Sequence, residues 1–191
     1  MMNAVEPAPV PVRGAQIWPL SVAAYRVLAE AGLIPKNTEL LYGFVYTKMS
    51  KSPFHSALLR RLKRLLKAVM PPDCFIDSEQ PLACADSEPE PDIAVIRGSE
   101  EEFLNEHPRT AEFVIEISIT SHDYDRSKLR AYAAAGVKEC WVVLGPEKQI
   151  QVHRHPKDGQ FTEQALHGPG GTLTSAALPE FTLSLDALFA K

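Results

Sequence analysis

Apolar positions recur along the chain with two different spacings, which predict helices and strands in turn. From Ser21, a favourable N-cap, residues 22–31 have helical spacing, and Gly32 ends the segment. Residues 39–49 are rich in aromatic and β-branched side chains around Gly43, which predicts a β-hairpin. We therefore expect a helix followed by a hairpin near the start of the fold.

The segment SPFHSALLRRLKRLLKAVMPP predicts a long amphipathic helix, which we place at residues 57–70. Apolar side chains recur at helical spacing, namely Leu58, Leu59, Leu62, Leu65, Leu66 and Val69. Basic side chains fill the other face, namely Arg60, Arg61, Lys63, Arg64 and Lys67. Pro71 and Pro72 are expected to end the helix, because proline lacks the N–H group that a helix interior requires. Such a basic face is usually only solvated, but it could also contact phosphate groups.

The second half of the chain predicts mainly strands. Strands are expected at residues 74–76, 81–84, 92–96, 112–119 and 139–144, and a strand pair at residues 149–153 and 160–165. Residues 121–135 predict a helix that Gly136 ends, and the final residues predict an edge strand with a short closing helix. This order indicates an α/β fold with a central mixed sheet flanked by helices.

Length and composition fit one soluble domain. The 191 residues, 45% hydrophobic and 23% charged, are enough to bury one sizeable core. Prolines are frequent before Gly14, so we expect residues 1–14 to form a flexible tail and residues 15–191 to form a single domain. The net charge of −4 argues against a broad basic surface for nonspecific nucleic-acid binding.

No segment of the sequence indicates a membrane or an oxidising compartment. The three cysteines are scattered, without the paired spacing of zinc sites, so reduced thiols are expected. The first residues lack a basic segment followed by an apolar one, and no apolar run reaches the ~20 residues of a membrane span. We therefore expect a cytoplasmic protein.

Two carboxylates stand within apolar strand segments, Asp92 in EPDIAV and Glu116 in FVIEIS. Because an unpaired buried carboxylate is costly, such groups are usually hydrogen-bonded, ion-paired or bound to a metal. Mg²⁺ prefers a few carboxylates together with water, and it can activate water and neutralise charge on a phosphate. Lys128, on the following helix, could stabilise that charge if its ammonium group points back at the sheet. A half-buried ion pair between Glu116 and Lys128, without catalysis, is the alternative.

Three histidines and Glu39, each considered by itself, are weaker indications of a functional site than Asp92 and Glu116. His55 lies close to the start of the long helix, where a histidine is more often a capping or surface group than a ligand. His153 and His155 are expected on one face of a strand. Two histidines do not complete a metal site, so we interpret both as surface groups. Glu39 opens the hairpin and alone would be an ordinary exposed carboxylate.

Five segments occur in an order that points to one protein family: ELLYGFVYTKMSKSPFHSALLRRL, SEPEPDIAVIRGS, AEFVIEIS, DRSKLRAYAAAGVKECWVV and LPEFTLSLDALF. They resemble the Uma-two family of predicted restriction endonucleases, in the PD-(D/E)XK nuclease superfamily. The resemblance covers nearly all of residues 18–189. It implies a restriction-endonuclease-like α/β core, with a central mixed sheet flanked by helices and additional β-hairpins.

The same resemblance implies roles for particular residues. Asp92 and Glu116 would bind the metal, Mg²⁺ or Mn²⁺. The superfamily usually has a lysine two residues after the second acid, where this chain has Ser118, so Lys128 is the matching candidate. Glu39 and His55 match family positions that would line the same cleft.

The leading hypothesis is a metal-dependent DNA endonuclease. Its candidate catalytic residues are Asp92, Glu116, Lys128, Glu39 and His55, and the basic helix face is the candidate DNA contact. DNA is the expected partner, no membrane is expected, and a homodimer is left open. The alternative is a nuclease-fold module with little or no turnover that binds nucleic acid or a partner protein. A hydrolase of another class is disfavoured, because the sequence has neither a GxSxG nor a P-loop motif.

Overall fold

The computed structural model describes Gly14 and residues 16–190, so the tail expected over residues 1–14 lies almost wholly outside the described residues. The α-helices in this part are α1 (Val22–Glu30), α2 (Pro53–Lys67), α3 (His122–Ser127), α4 (Leu129–Ala134) and α5 (Leu185–Phe189), and Glu100–Phe103 form a short 3₁₀ helix. The strands are β1 (Thr38–Leu41), β2 (Phe44–Thr47), β3 (Cys74–Asp77), β4 (Ile93–Arg97), β5 (Phe113–Ser118), β6 (Glu139–Leu144), β7 (Gln149–Lys157), β8 (Gln160–His167), β9 (Thr172–Thr174) and β10 (Thr182–Ser184). None of these helices is long and apolar enough to span a bilayer.

A six-stranded mixed sheet, in the order β3-β4-β5-β6-β7-β8, forms the centre of the molecule. Strands β5 and β6 are parallel, and the other neighbours are antiparallel. The pairs β1-β2 and β9-β10 form two small separate sheets. The predicted α/β fold, with a central mixed sheet, flanking helices and additional hairpins, is therefore confirmed.

Each face of the sheet carries its own hydrophobic core. On one face, leucines of α2 and α5 pack against the sheet around Phe113 and Trp141, whose rings meet edge to face with centroids 4.9 Å apart. On the other face, α4 packs through Tyr132 on a cluster that includes Val114. Because side chains alternate along a strand, Glu116 points to the same face as Val114 and away from Phe113.

The β1-β2 hairpin is held in place by its tight turn. Tyr42 and Gly43 both have positive φ, 55° and 81°, as a type I′ turn requires. A Cβ atom on Gly43 would lie only 2.2 Å from Cβ of Pro19, so any residue with a side chain would clash with Pro19 at this position. The N–H of Gly43 also donates to the carbonyl of Asp86 at 3.0 Å. These contacts fix the strand that carries Glu39.

Several predicted boundaries differ from the observed ones. Helix α2 begins earlier than predicted, at Pro53, where the Ser52 side chain accepts the N–H of His55 at 3.1 Å. It ends at Lys67 rather than at the prolines. Met70 precedes a proline, which disfavours the helical region for that residue, so the chain leaves the helix beforehand.

Three other predictions of secondary structure are wrong or incomplete. Residues 81–84 do not form a strand, because the N–H groups of Leu82 and Ala83 donate to the loop carbonyls of Pro89 and Pro108 instead of to a neighbouring strand. The helix predicted over residues 121–135 is divided into α3 and α4 at Lys128. The chain end forms two short strands before α5, where one edge strand is predicted.

Candidate active site

A cavity of about 660 Å³ opens between the β1-β2 hairpin, the start of α2, the end of β5 and α3. Its charged and histidine lining residues are Glu39, Lys48, Lys51, His55, Glu79, Glu90, Asp92, Glu116, Asp125 and Lys128. The structure therefore brings all five predicted catalytic residues to one place. Six carboxylates and three ammonium groups share this cavity, an excess of negative charge that suits a cation.

The sheet register brings Asp92 and Glu116 together. Ile93 of β4 pairs with Ile115 of antiparallel β5, so one further step places Asp92 opposite Glu116. Residues directly opposite in an antiparallel pair project to the same face of the sheet. Two acids that are distant in the sequence thus share one side of the cavity wall.

Asp92 is a buried carboxylate with several donors around it. The N–H of Ile117 donates to its Oδ2 at 2.7 Å, and Nε2 of His55 lies 3.1 Å from each of its oxygens. Nζ of Lys51 lies 3.2 Å from Oδ1. Burial alone would raise the pKa of Asp92, but the hydrogen bond from His55 and the charges of His55 and Lys51 hold it below its ordinary value.

Glu116 is almost completely buried, with 1% of its surface exposed, and its oxygens are unequally satisfied. Oε1 accepts the hydroxyl of Tyr132 and lies 3.3 Å from Nζ of Lys128. Oε2 has no hydrogen-bond donor in the part of the chain that the structure describes. Burial raises the pKa of Glu116 to about 8; the charge of Lys128 opposes this rise, and nearby carboxylates, Asp92 first, add to it.

Lys128 joins two carboxylates of different elements. Its Nζ lies 3.0 Å from Oε1 of Glu39 and 3.3 Å from Oε1 of Glu116. Burial disfavours its charge, but the two carboxylates more than offset this and hold the pKa of Lys128 above its ordinary value. Glu39 is fixed in turn, because it accepts the Tyr124 hydroxyl and the N–H of Glu90. The ammonium group is therefore charged and held in one position.

Four further residues of the site are absent from the prediction: Lys51, Tyr124, Asp125 and Tyr132. Helical spacing could have found three of them, since Tyr124 and Asp125 lie four and three residues before Lys128, and Tyr132 lies four residues after it. Lys51 carries no comparable signal. Lys51 belongs to the loop between β2 and α2, and only the tertiary fold brings it to Asp92.

The basic face of α2 does not line this cavity. None of Arg60, Arg61, Lys63, Arg64 and Lys67 is among the lining residues. Arg61 donates through Nη1 to the carbonyl of Leu188 at 2.7 Å and to that of Ala190, so it fastens the end of α5. Arg60, Arg64 and Lys67 are exposed and Lys63 is half-buried. DNA contact by this face stays a prediction.

One histidine differs from its interpretation as a surface group. His153 is only 6% exposed, because it lies on β7 opposite Cys140 of the buried strand β6. Burial, together with the charge of Arg126, lowers the pKa of His153 to about 4. His155, two residues later, is exposed as expected.

Asp92 and Glu116 fit a divalent cation as a pair of carboxylates. Within residues 16–190 no group of three or more His, Cys, Asp or Glu side chains is arranged to hold a metal ion. Mg²⁺ does not require such a cage, because it keeps several waters and is usually bound through one or two carboxylates. The oxygen of Glu116 that lacks a donor among the described residues would supply one such ligand. The all-oxygen donor set suits Mg²⁺ or Mn²⁺ rather than zinc.

Comparison with known proteins agrees with the resemblance found in the sequence. A family model described as "Uma2: Putative restriction endonuclease" matches residues 33–186. A solved structure, described as "a putative nuclease belonging to DUF820 from Anabaena variabilis ATCC 29413", has a TM-score of 0.70 at 20% sequence identity, covering 85% of this chain and 97% of that chain. At this identity the likeness establishes a shared fold. No curated protein matches the chain.

Proposed function

Because the chain belongs to the Uma2 family, we propose that it is a DNA endonuclease that hydrolyses phosphodiester bonds with a bound divalent cation, Mg²⁺ or Mn²⁺. The observation that carries this proposal is the convergence of Asp92, Glu116 and Lys128 on one cavity. A carboxylate pair next to a fixed ammonium group is an arrangement suited to phosphoryl chemistry. We further propose that residues 15–191 act as one nuclease domain. Homodimerisation and a cytoplasmic location stay predictions.

In this mechanism Asp92 and Glu116 hold the cation, which when bound supplies an activated water and neutralises charge on the scissile phosphate. His55 and the N–H of Ile117 orient Asp92, since both contact its carboxylate directly. Tyr132 orients Glu116 through its hydroxyl. The two acids therefore do not need to reorganise before the reaction.

Lys128 acts on the phosphate side of the reaction. Its ammonium group lies between Glu39 and Glu116. These contacts hold the side chain in one conformation, so its charge already lies beside the cavity before substrate binds. Lys128 is itself only 5% exposed, and a fixed positive charge at such a buried position stabilises the negative charge that develops on the phosphate. Glu39 is a positioning residue here, because it acts through Lys128.

Cleavage of supercoiled plasmid in Mn²⁺ tests the proposal. We expect Glu116→Gln and Lys128→Met to lower the cleavage rate by about 10²–10³-fold, the scale of removing one preorganised charge contact. Chelation of the cation should abolish cleavage by the wild-type protein. The control is Glu180→Gln, which changes an exposed carboxylate outside the cavity. Cleavage by Glu116→Gln at the wild-type rate would refute the assignment.

A nuclease-fold module with little turnover is the second candidate. It is favoured by the ion pairs in the cavity, where Lys51 and Lys128 already neutralise Asp92 and Glu116. Calorimetry with Mn²⁺ separates the two functions. Binding of Mn²⁺ that Asp92→Asn abolishes supports the endonuclease, whereas DNA binding without any Mn²⁺ binding supports the module.

A further inference from the structure

The two oxygens of Asp92 are held differently. Oδ2 accepts the N–H of Ile117 at 2.7 Å, a backbone contact that ties the carboxylate to β5. Oδ1 has no backbone donor within the described residues; it lies 3.2 Å from Nζ of Lys51 and 3.1 Å from Nε2 of His55, which lies equally close to Oδ2. A cation can therefore reach Oδ1 without breaking a backbone hydrogen bond. Both oxygens share the ring of His55, so the ammonium group of Lys51 is the contact that distinguishes Oδ1 from Oδ2.

Lys51 is held more loosely than Lys128. Its side chain is 40% exposed, and its second partner, Glu79, is 42% exposed. The side chain of Lys128 is 6% exposed between two carboxylates that are 2% exposed or less. The Lys51 side chain is partly exposed, whereas Asp92 is buried, so Lys51 can leave Asp92 when another cation takes over the neutralisation of that carboxylate; Lys128 is buried between its partners and cannot leave them.

A divalent cation bound to Oδ1 of Asp92 would lie close to the ammonium group of Lys51, and like charges repel strongly at such short separations. Cation binding therefore favours movement of Nζ of Lys51 away from Asp92. Lys51 lines the same cavity in which the substrate phosphate would lie beside the cation. Besides its present partner Glu79, a phosphate group in the cavity would be a new anion for the displaced ammonium group to contact.

We propose that Lys51 is a mobile counterion that a divalent cation displaces from Asp92 and that then contacts the phosphate of the nucleic-acid substrate. This inference rests on the proposed function. It adds to that function a substrate-contacting residue and an order of events, in which the cation binds before the phosphate. It also predicts that substitution of Lys51 strengthens the binding of the cation and weakens the binding of the nucleic acid. A purely structural role of Lys51 would not produce these opposite effects.

Calorimetry of the full chain with Mn²⁺ alone tests the first half. Lys51→Met removes the competing charge, so Mn²⁺ should bind about fivefold more tightly than to the wild-type protein, the effect of losing one partly exposed ion pair. The matched control is Lys48→Met. Lys48 carries the same charge and lines the same cavity, but it pairs with Glu90 rather than with Asp92. Its substitution should change Mn²⁺ affinity by less than about twofold.

Steady-state plasmid cleavage at saturating Mn²⁺ tests the second half. Lys51→Met should raise KM about fivefold, with a smaller change in kcat, because a phosphate contact is lost. Lys51→Arg, which keeps the charge, should restore KM. Thermal melts verify that each variant is folded.

The outcomes separate this inference from the proposed function. Wild-type protein that binds no Mn²⁺ overturns both. Wild-type binding of Mn²⁺ that Lys51→Met weakens or leaves unchanged overturns only the role of Lys51. An equal increase in Mn²⁺ affinity in Lys48→Met and Lys51→Met also overturns the role of Lys51, because any loss of positive charge from the cavity would then have the same effect.

Discussion

Two buried glutamates, Glu139 and Glu116, lie on opposite faces of the sheet and are stabilised in different ways. The β5-β6 register pairs Glu139 with Phe113, so its side chain lies on the face covered by α2 and α5. Both of its oxygens are satisfied by two donors each. Oε1 accepts from Trp141 Nε1 at 2.7 Å and Arg154 Nε at 2.9 Å, and Oε2 from Ser175 Oγ at 2.7 Å and the Ala177 N–H at 2.9 Å.

Glu116 shows the opposite pattern on the cavity face. Its two partners, Lys128 and Tyr132, both contact Oε1, and other carboxylates of the cavity are close enough to raise its pKa. Glu139 thus joins the segment after β9 to the sheet, while Glu116 is kept in a state that favours binding a cation or a proton. Burial alone does not identify a functional carboxylate. The number and charge of the groups around each carboxylate distinguish the fully paired Glu139 from the candidate ligand Glu116.

Removing Glu139 should produce the largest loss of stability. Glu139→Ala leaves Arg154 and the donors of Ser175 and Ala177 without their acceptor, so we expect the free energy of unfolding to fall by about 3–5 kcal/mol. Urea denaturation followed by circular dichroism measures it. Glu163→Ala is the matched control, because Glu163 also pairs with Arg154, at 3.6 Å, but is 48% exposed. Its effect should stay below about 1 kcal/mol, and equal losses would contradict the comparison.

Acid should destabilise the cavity face through His153, which lies on the same face as Cys140 and Tyr132. Its pKa is about 4 in the folded chain, against 6.5 ordinarily, so the unfolded chain binds more protons between these values. Stability should therefore fall by about 1–3 kcal/mol as the pH drops from 6.5 to 4. The measurement is the free energy of unfolding as a function of pH for the wild-type protein and for His153→Gln, which should lose the contribution of His153. Parallel pH profiles of the two proteins would contradict this prediction.

Glu116→Gln should change stability much less than Glu139→Ala does. The amide can still accept the Tyr132 hydroxyl, Lys128 keeps Glu39, and one carboxylate is removed from an acidic cavity. We expect a change within about 1 kcal/mol in urea denaturation, because functional residues are seldom optimised for stability. A loss as large as that of Glu139→Ala would mean that Glu116 has a structural role like that of Glu139.

The smallest effect is expected outside both glutamate sites, on the exposed face of α2. Arg60→Gln combined with Arg64→Gln should raise KM for plasmid about two- to fivefold at low salt and leave kcat unchanged, because phosphate contacts are screened by salt. The charge-matched control is Lys36→Gln with Lys157→Gln, two exposed lysines that are not on α2. If both pairs of substitutions act equally, α2 has no special role in DNA contact.

Local sequence patterns predicted most of the helices and strands. They failed where contacts between residues distant in the sequence decide the structure. The leucine spacing of α2 and the turn at Gly43 correspond to the observed helix and hairpin. Residues 81–84 look like a strand, but their N–H groups donate to loop carbonyls. From the sequence, His153 is interpreted as an exposed residue. The alternation of side chains along β7 does not reveal that β6 lies beside it or that other residues cover β6.

The candidate site was predictable as a set of residues but not as an arrangement. Family motifs selected Asp92, Glu116, Lys128, Glu39 and His55, and all of them line the cavity. The same motifs did not select Lys51, whose proximity to Asp92 depends on the path of the loop after β2. They also did not reveal that Arg61 is engaged with the end of α5.

The sequence by itself determined the periodicities, which predicted most of the helices and strands and the mixed sheet, and its resemblance to a family selected the candidate acids and amine. Only the tertiary structure decided which oxygen of each acid is satisfied and by which group. The reason is physical: periodicity arises from neighbours within one element, whereas the surroundings of a buried charge are set by side chains that arrive from several elements and meet only when the chain is folded.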